Sequence, residues 1–119
     1  MRYFTIDEFK CPDCGRAEMN EDFLEMLDKA RDIAGIPFVI TSGFRCPSHN
    51  KKIGGRPNSA HLRGLAADIA VTNSRARFLI LDALIKAGFR RMGIGKNFIH
   101  VDLDNTKPYP VIWTYYKEG

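Results

Sequence analysis

Ser59-Ala-His61-Leu-Arg-Gly64-Leu-Ala-Ala-Asp68-Ile-Ala-Val71 is the stretch on which the fold turns. A segment rich in Gly, Pro, Ser and Asn runs into it from residue 42, and reads as an irregular surface loop over 42–60. Loops of that length in a small domain are usually functional. Past Gly64, where a loop can turn into a strand, the pattern takes the two-residue period of a strand over 65–71. Alternation puts Ala66, Asp68 and Ala70 on one face, and Ala67, Ile69 and Val71 on the other. The second set is core-forming. The first is lined by small residues, which leaves space beside Asp68, an acid that strand propensity disfavours.

Working outward, residues 98–103 repeat the alternation. His100 and Asp102 share one face, with Ile99, Val101 and Leu103 toward the core. Residues 38–41, 92–95 and 111–116 read as further strands, the one at 111–116 reached from 98–103 through a Pro-containing turn. Asn20, with Glu21 and Asp22 behind it, marks a helix start. Phe23, Leu24, Leu27, Ala30 and Ala34 follow at helical spacing until Gly35 and Pro37 stop it. A second helix spans 74–87, with Phe78, Leu81, Leu84 and Ile85 as its apolar set and Gly88 closing it. Helices first and tightly turned strands later predict an α+β domain, mainly an antiparallel sheet with flanking helices.

The chain has 119 residues, 45% hydrophobic, with a net charge of +4. That is enough for one cored domain, and no internal repeat or linker divides it. No apolar run is long enough to cross a membrane, and the N-terminal residues lack a secretory signal pattern. The mild positive balance falls short of a nucleic-acid footprint. Three cysteines, an odd number, exclude a closed disulfide framework.

His61, Asp68 and His100 could together supply three zinc ligands and leave a fourth position for water, the pattern of a catalytic site. Spacing alone leaves the plainer alternative open, since a strand histidine is commonly just hydrogen-bonded.

The motifs Ser42-Gly-Phe-Arg45, His49-Asn50, Gly54-Gly55, Pro57-Asn58-Ser59 and His61-x6-Asp68, followed by His100, resemble a known family. It is that of the zinc D-Ala-D-Ala carboxypeptidases and peptidoglycan endopeptidases, M15-like peptidases with a hedgehog-type metallopeptidase fold. The resemblance covers about residues 38–104. It implies a single catalytic zinc on His61, Asp68 and His100, hydrolysing an amide bond in the peptide part of a bacterial cell wall. It also implies that Arg45 binds a substrate carboxylate or carbonyl and that Ser59 is a hydrogen-bonding residue near the site. The guanidinium fork suits a carboxylate, although Arg45 could instead pair with its own loop, and Ser59 could be a loop cap. Many relatives carry an acidic general base three residues before the last histidine; here that residue is Asn97, which cannot take a proton from water. Asp102 is the substitute base, or else accepts the N–H of a ligand imidazole and fixes its orientation. Asp104 is a weaker candidate, and reads better as a solvated turn acid.

Cys11-Pro-Asp-Cys14-Gly resembles one knuckle of a zinc ribbon, and Cys46-Pro-Ser-His49 repeats its spacing. Cys11, Cys14, Cys46 and His49 would make a Cys3His structural zinc site; free thiols, a disulfide, and a purely structural His49 are the alternatives.

The leading expectation is therefore a zinc peptidase, with one catalytic zinc and a candidate second, structural one, acting on peptidoglycan peptides. It is expected to be a monomer without nucleic-acid partners, made in the cytoplasm of a bacterium or for a phage, and active at the cell wall after release or within a virion. The alternative is a catalytically weak wall-binding or virion structural domain that keeps the zinc site. A zinc-ribbon nucleic-acid module rests on a single knuckle.

Overall fold

The structure is a computed structural model, and it describes residues 1–115. A 3-10 turn at Ile6–Phe9 precedes helix α1 (Glu21–Ala34), strand β1 (Ile40–Ser42) and the short helix α2 (Pro47–Lys52). A second 3-10 turn, Ala60–Arg63, leads into β2 (Ala66–Ala70), and then come α3 (Ser74–Ala87), β3 (Arg91–Ile94), β4 (Phe98–Asp102) and β5 (Val111–Thr114).

Both long helices begin and end where their caps dictate. The Asn20 side chain accepts the Phe23 N–H at 2.9 Å, and the Asn73 side chain accepts the Ala76 N–H at 2.8 Å. Gly35 and Gly88 close them in the left-handed conformation. Phe23, Leu24, Leu27 and Ala30 of α1 are buried, as the spacing predicts. In α3 the buried stripe is Ile80, Ala83, Leu84 and Ala87, while Phe78 and Ile85 of the expected apolar set are exposed. Ile80, Ala83, Leu84 and Ala87 follow the i, i+3, i+4, i+7 pattern, and Phe78 and Ile85 stand off that line.

The five strands lie in the order β1-β2-β4-β3-β5. The pairs β1–β2, β2–β4 and β3–β4 are antiparallel, and β5 joins the far edge parallel to β3. The α+β class holds, with a mixed sheet. The Pro-containing connection carries the chain from β4 past β3 to the opposite edge, so β4 and β5 are not neighbours. Tyr116, at the end of the expected last strand, lies outside the described residues.

One face of the sheet carries the core. Ala67, Ile69, Val71, Ile99, Val101 and Met92 pack with the inner sides of α1 and α3 and with Phe4, Phe9, Phe38 and Phe89. The expected loop over 42–60 contains α2, which Cys46 precedes as N-cap and Pro47 opens, a position where proline's fixed φ suits a helix. Among the described residues no helix is long and apolar enough to cross a membrane.

Candidate metal centre

The face of the sheet opposite the core presents a row of aligned residues. Ser42 pairs with Asp68, Asp68 with His100, His100 with Gly93, and Gly93 with Trp113. Each of the five strands thus contributes one residue to a line across the sheet. The missing side chain in that line is required. A Cβ on Gly93 would stand 2.5 Å from Trp113 Nε1, so glycine there lets the indole lie over β3 and approach the His100 ring, centroids 5.6 Å apart.

His61 arrives from outside the sheet. Ser59 caps its 3-10 turn, the Ser59 hydroxyl accepting the His61 N–H at 3.3 Å. Gly64 ends the turn at φ +67°, packed so closely on the backbone of Glu18 that a Cβ would meet its carbonyl at 2.0 Å. The result sets the His61 ring beside the row, 5.2 Å from His100 by centroids. One nitrogen, one carboxylate oxygen and a second nitrogen, from His61, Asp68 and His100, lie within 4.8 Å of one another.

The hydrogen bonds of the two imidazoles define which atoms face the shared space. His61 Nδ1–H donates to the Gly43 carbonyl at 2.7 Å, which leaves Nε2 as a lone pair. That Nε2 is buried, has no hydrogen-bond partner, and lies 3.3 Å from Asp68 Oδ1. A lone pair directed at a carboxylate oxygen is repulsive unless a cation lies between them. His100 Nδ1 is 3.0 Å from the same Asp68 oxygen, and its Nε2–H donates to Asp102 Oδ2 at 2.7 Å. Two ring nitrogens therefore converge on Asp68 Oδ1, and this donor set fits a divalent cation such as zinc.

The titration of each group in the metal-free site follows from its neighbours. Burial pushes the His61 imidazole down, which favours the neutral form that a metal needs. Burial pushes Asp68 up, but the neighbouring His100 and His61 outweigh it and hold the carboxyl well below the usual range. Burial lowers His100, yet its hydrogen bonds to Asp102 and Asp68 prevail and raise it.

Both oxygens of Asp102 are engaged. Oδ2 accepts from His100, and Oδ1 accepts the Arg91 Nε–H at 2.7 Å and the Asp104 backbone N–H at 3.0 Å. Arg45 is similarly tied, with Nε donating to Ser42 Oγ at 3.1 Å, Nη1 to Asn50 Oδ1 at 3.4 Å and Nη2 to Asp68 Oδ2 at 3.4 Å. Those three bonds leave two of its five N–H groups for other partners. Asn97 lies in the turn before β4, its carbonyl accepting the Val71 N–H at 2.8 Å, and it does not line the cleft. Asp104 is not the solvated acid that its turn position suggests. It is fully buried, bonded to Arg63, to Lys107 at 3.0 Å and to Thr106, because the turn folds back over the end of β4.

The three donors lie on the floor of a cleft of about 760 Å³. Arg45, Arg56, Arg91 and Lys107 border it with positive charge, and Trp113 and Tyr115 with aromatic surface. Arg91, whose guanidinium also stacks on Trp113 at 4.9 Å, is a cleft residue bonded to Asp102 that the motifs do not reveal. A signal for it exists in the sequence. The two-residue turn Lys96-Asn97 between β3 and β4 fixes their register, which puts Arg91 opposite Asp102 once Gly93 is opposite His100.

At the other end of the Gly43–Cys46 segment the structure gathers the sulfurs of Cys11, Cys14 and Cys46 within 4.8 Å of one another. The His49 ring is not part of that group, and all three cysteines are free.

A mixed sheet carrying Asp68 and His100, with His61 set beside it at the base of a cationic cleft, has the donor set of a metallohydrolase type of site. The model of the peptidase M15 family matches residues 2–102, most of the chain. The protein belongs to the peptidase M15 family, whose members are metallopeptidases, usually zinc-dependent. No curated protein matches it.

Proposed function

We propose that this protein is a zinc peptidase that hydrolyses an amide bond in peptidoglycan peptides, either at a D-Ala-D-Ala terminus or within the peptide. The observation that carries the reading is the orphaned His61 Nε2, buried and aimed at the Asp68 oxygen that His100 Nδ1 also approaches. His61, Asp68 and His100 would hold the zinc, which when bound supplies Lewis acidity for acidifying water and polarising a carbonyl.

The remaining groups act around that centre. The Gly43 carbonyl fixes the His61 tautomer, and Asp102 does the same for His100 from the far side of its ring. Arg91 and the Asp104 amide occupy the other Asp102 oxygen, which supports orientation rather than proton transfer as the role of Asp102. Arg45 steadies Asp68 and turns its two spare N–H groups to a substrate carboxylate or carbonyl. Ser59 holds the His61 turn at the cleft wall. The four cationic side chains favour the carboxylate-rich peptides of the wall, with Trp113 and Tyr115 as an apolar flank. The protein is proposed to act as a monomer at the cell wall, after release from the cell or as part of a virion.

The second reading, a wall-binding domain with little turnover, is favoured by one observation. Among the described residues the carboxylates lining the cleft are Asp68 and Asp102, and both are fully engaged. Incubating zinc-loaded protein with purified peptidoglycan and counting released amino groups decides between them. Release by the wild type and none by His100→Ala is expected. If wild type and His100→Ala release equally little while wild type still sediments with the wall, hydrolysis is wrong and binding is the function.

A further inference from the structure

The three thiols form a second constellation, remote from the cleft chemistry. Cys11 Sγ and Cys46 Sγ are 3.7 Å apart, far beyond the roughly 2.05 Å of a disulfide. Zinc–sulfur bonds of about 2.3 Å at tetrahedral angles put neighbouring sulfurs about 3.8 Å apart. The observed separation is one edge of such a tetrahedron.

The backbone around Cys11 is arranged for a thiolate. In Cys11-Pro-Asp-Cys14-Gly15, the Gly15 N–H donates to the Cys11 carbonyl at 2.8 Å, and Cys11 N–H donates to the Arg16 carbonyl at 2.7 Å. Gly15 takes φ +73°, which closes the knuckle. The N–H groups of Cys46, Cys14 and Asp13 are directed at the Cys11 sulfur. Cys46 is the N-cap of α2, at the start of the turn that carries His49. N–H groups turned to a sulfur, as at Cys11, stabilise the deprotonated form that binds metal. Phe44 and Met19 pack around the two buried thiols, while Cys14 is exposed and leaves a path for an ion.

We propose that Cys11, Cys14 and Cys46 hold a structural zinc ion, with the His49 imidazole as the fourth ligand. Side chains three residues apart on a helix have Cβ atoms about 5–6 Å apart, so His49 reaches the position by rotating about its own side-chain bonds. Each thiol gives up its proton as its sulfur–zinc bond forms, and no oxidant is involved. The site clamps the N-terminal turn to the segment that serves the cleft. Within four residues, Gly43 holds His61, Phe44 N–H bonds the Phe9 carbonyl at 2.8 Å, Arg45 holds Asp68, and Cys46 joins the thiol cluster.

Cobalt distinguishes this site from the cleft, because only thiolate ligands give a sulfur-to-cobalt charge-transfer band. Reduced full-length protein loaded with Co2+ should show the band, and His61→Ala should keep it. Cys14→Ser, altered at an exposed position and therefore expected to fold, should lose the band and bind one zinc fewer per chain, while keeping the zinc of the cleft. A wild type without the band, or a Cys14→Ser variant with undiminished zinc, overturns the proposal. His61→Ala with undiminished zinc and an intact band would instead remove the cleft assignment, so the two fail separately. His49→Ala should surrender zinc to a chelator at least about 10-fold more readily; unchanged retention with the band intact overturns the assignment of His49 as fourth ligand.

Discussion

His100 is held from two sides by carboxylates with different tasks. Asp68 meets the ring nitrogen that faces His61, whereas Asp102 takes the hydrogen of the other nitrogen and is itself locked by Arg91 and the Asp104 amide. An Asp102→Asn variant keeps the shape and loses the charge that orients the ring. Its zinc affinity, measured by competition with a chelator, should fall about 10- to 100-fold, with turnover falling in step. Turnover lost at unchanged affinity would make Asp102 the general base. Arg91 belongs to the same unit, and Arg91→Ala should weaken zinc binding by a smaller factor, since the Asp104 N–H still restrains Asp102.

The elements that deliver these side chains depend on two glycines of unequal importance. Gly35 and Gly64 both adopt positive φ, but a Cβ on Gly35 meets nothing within 4 Å, whereas one on Gly64 would lie 2.0 Å from the Glu18 carbonyl. Gly35→Ala should therefore cost about 1 kcal/mol, the conformational term alone. Gly64→Ala adds a backbone collision and should cost about 3 kcal/mol or more, read as a shift in urea midpoint. Equal costs would mean that the 3-10 turn carrying His61 is not anchored on residues 18–19. At this scale much was legible in the sequence. Asn20, Gly35 and Gly88 bound the helices where capping chemistry places them, and the alternation at 66–70 and 98–102 sorts core face from site face. The outward placement of Phe78 and Ile85 was not legible, because an apolar residue off the buried stripe looks the same in sequence as one on it.

For the molecule as a whole, Asp104 ties the end of β4 to the Arg63 turn and to Lys107. Burial pushes its carboxyl up, but bonds from Thr106, Lys107 and Arg63 outweigh that and hold it well below the usual range. A carboxyl depressed in the folded state takes up protons more readily when unfolded, so its contribution is complete above about pH 4 and drains away as pH falls toward the depressed value. The difference in urea midpoint between metal-free wild type and Asp104→Asn should thus stay level down to about pH 4 and shrink below it. Asp104→Asn should be less stable at pH 7 by about 3 kcal/mol and show a shallower acid loss, since Arg63 and Lys107 then face no charge.

The sequence by itself determined the class of fold, the helix ends, and the three residues His61, Asp68 and His100 as a candidate set, through local periodicity, capping and a motif. Only the tertiary structure decided the parallel attachment of β5 to β3, which brings Trp113 over Gly93, and the meeting of Cys46 with the Cys11 knuckle. It alone revealed the lone pair of His61 facing Asp68, the engagement of Asp102 and the burial of Asp104. The physical reason is range. Periodicity and caps act within a few residues and are written in neighbouring letters. Strand order, cross-strand partners and the protonation of a buried ring depend on groups far apart in the chain, whose meeting is set by packing the whole core.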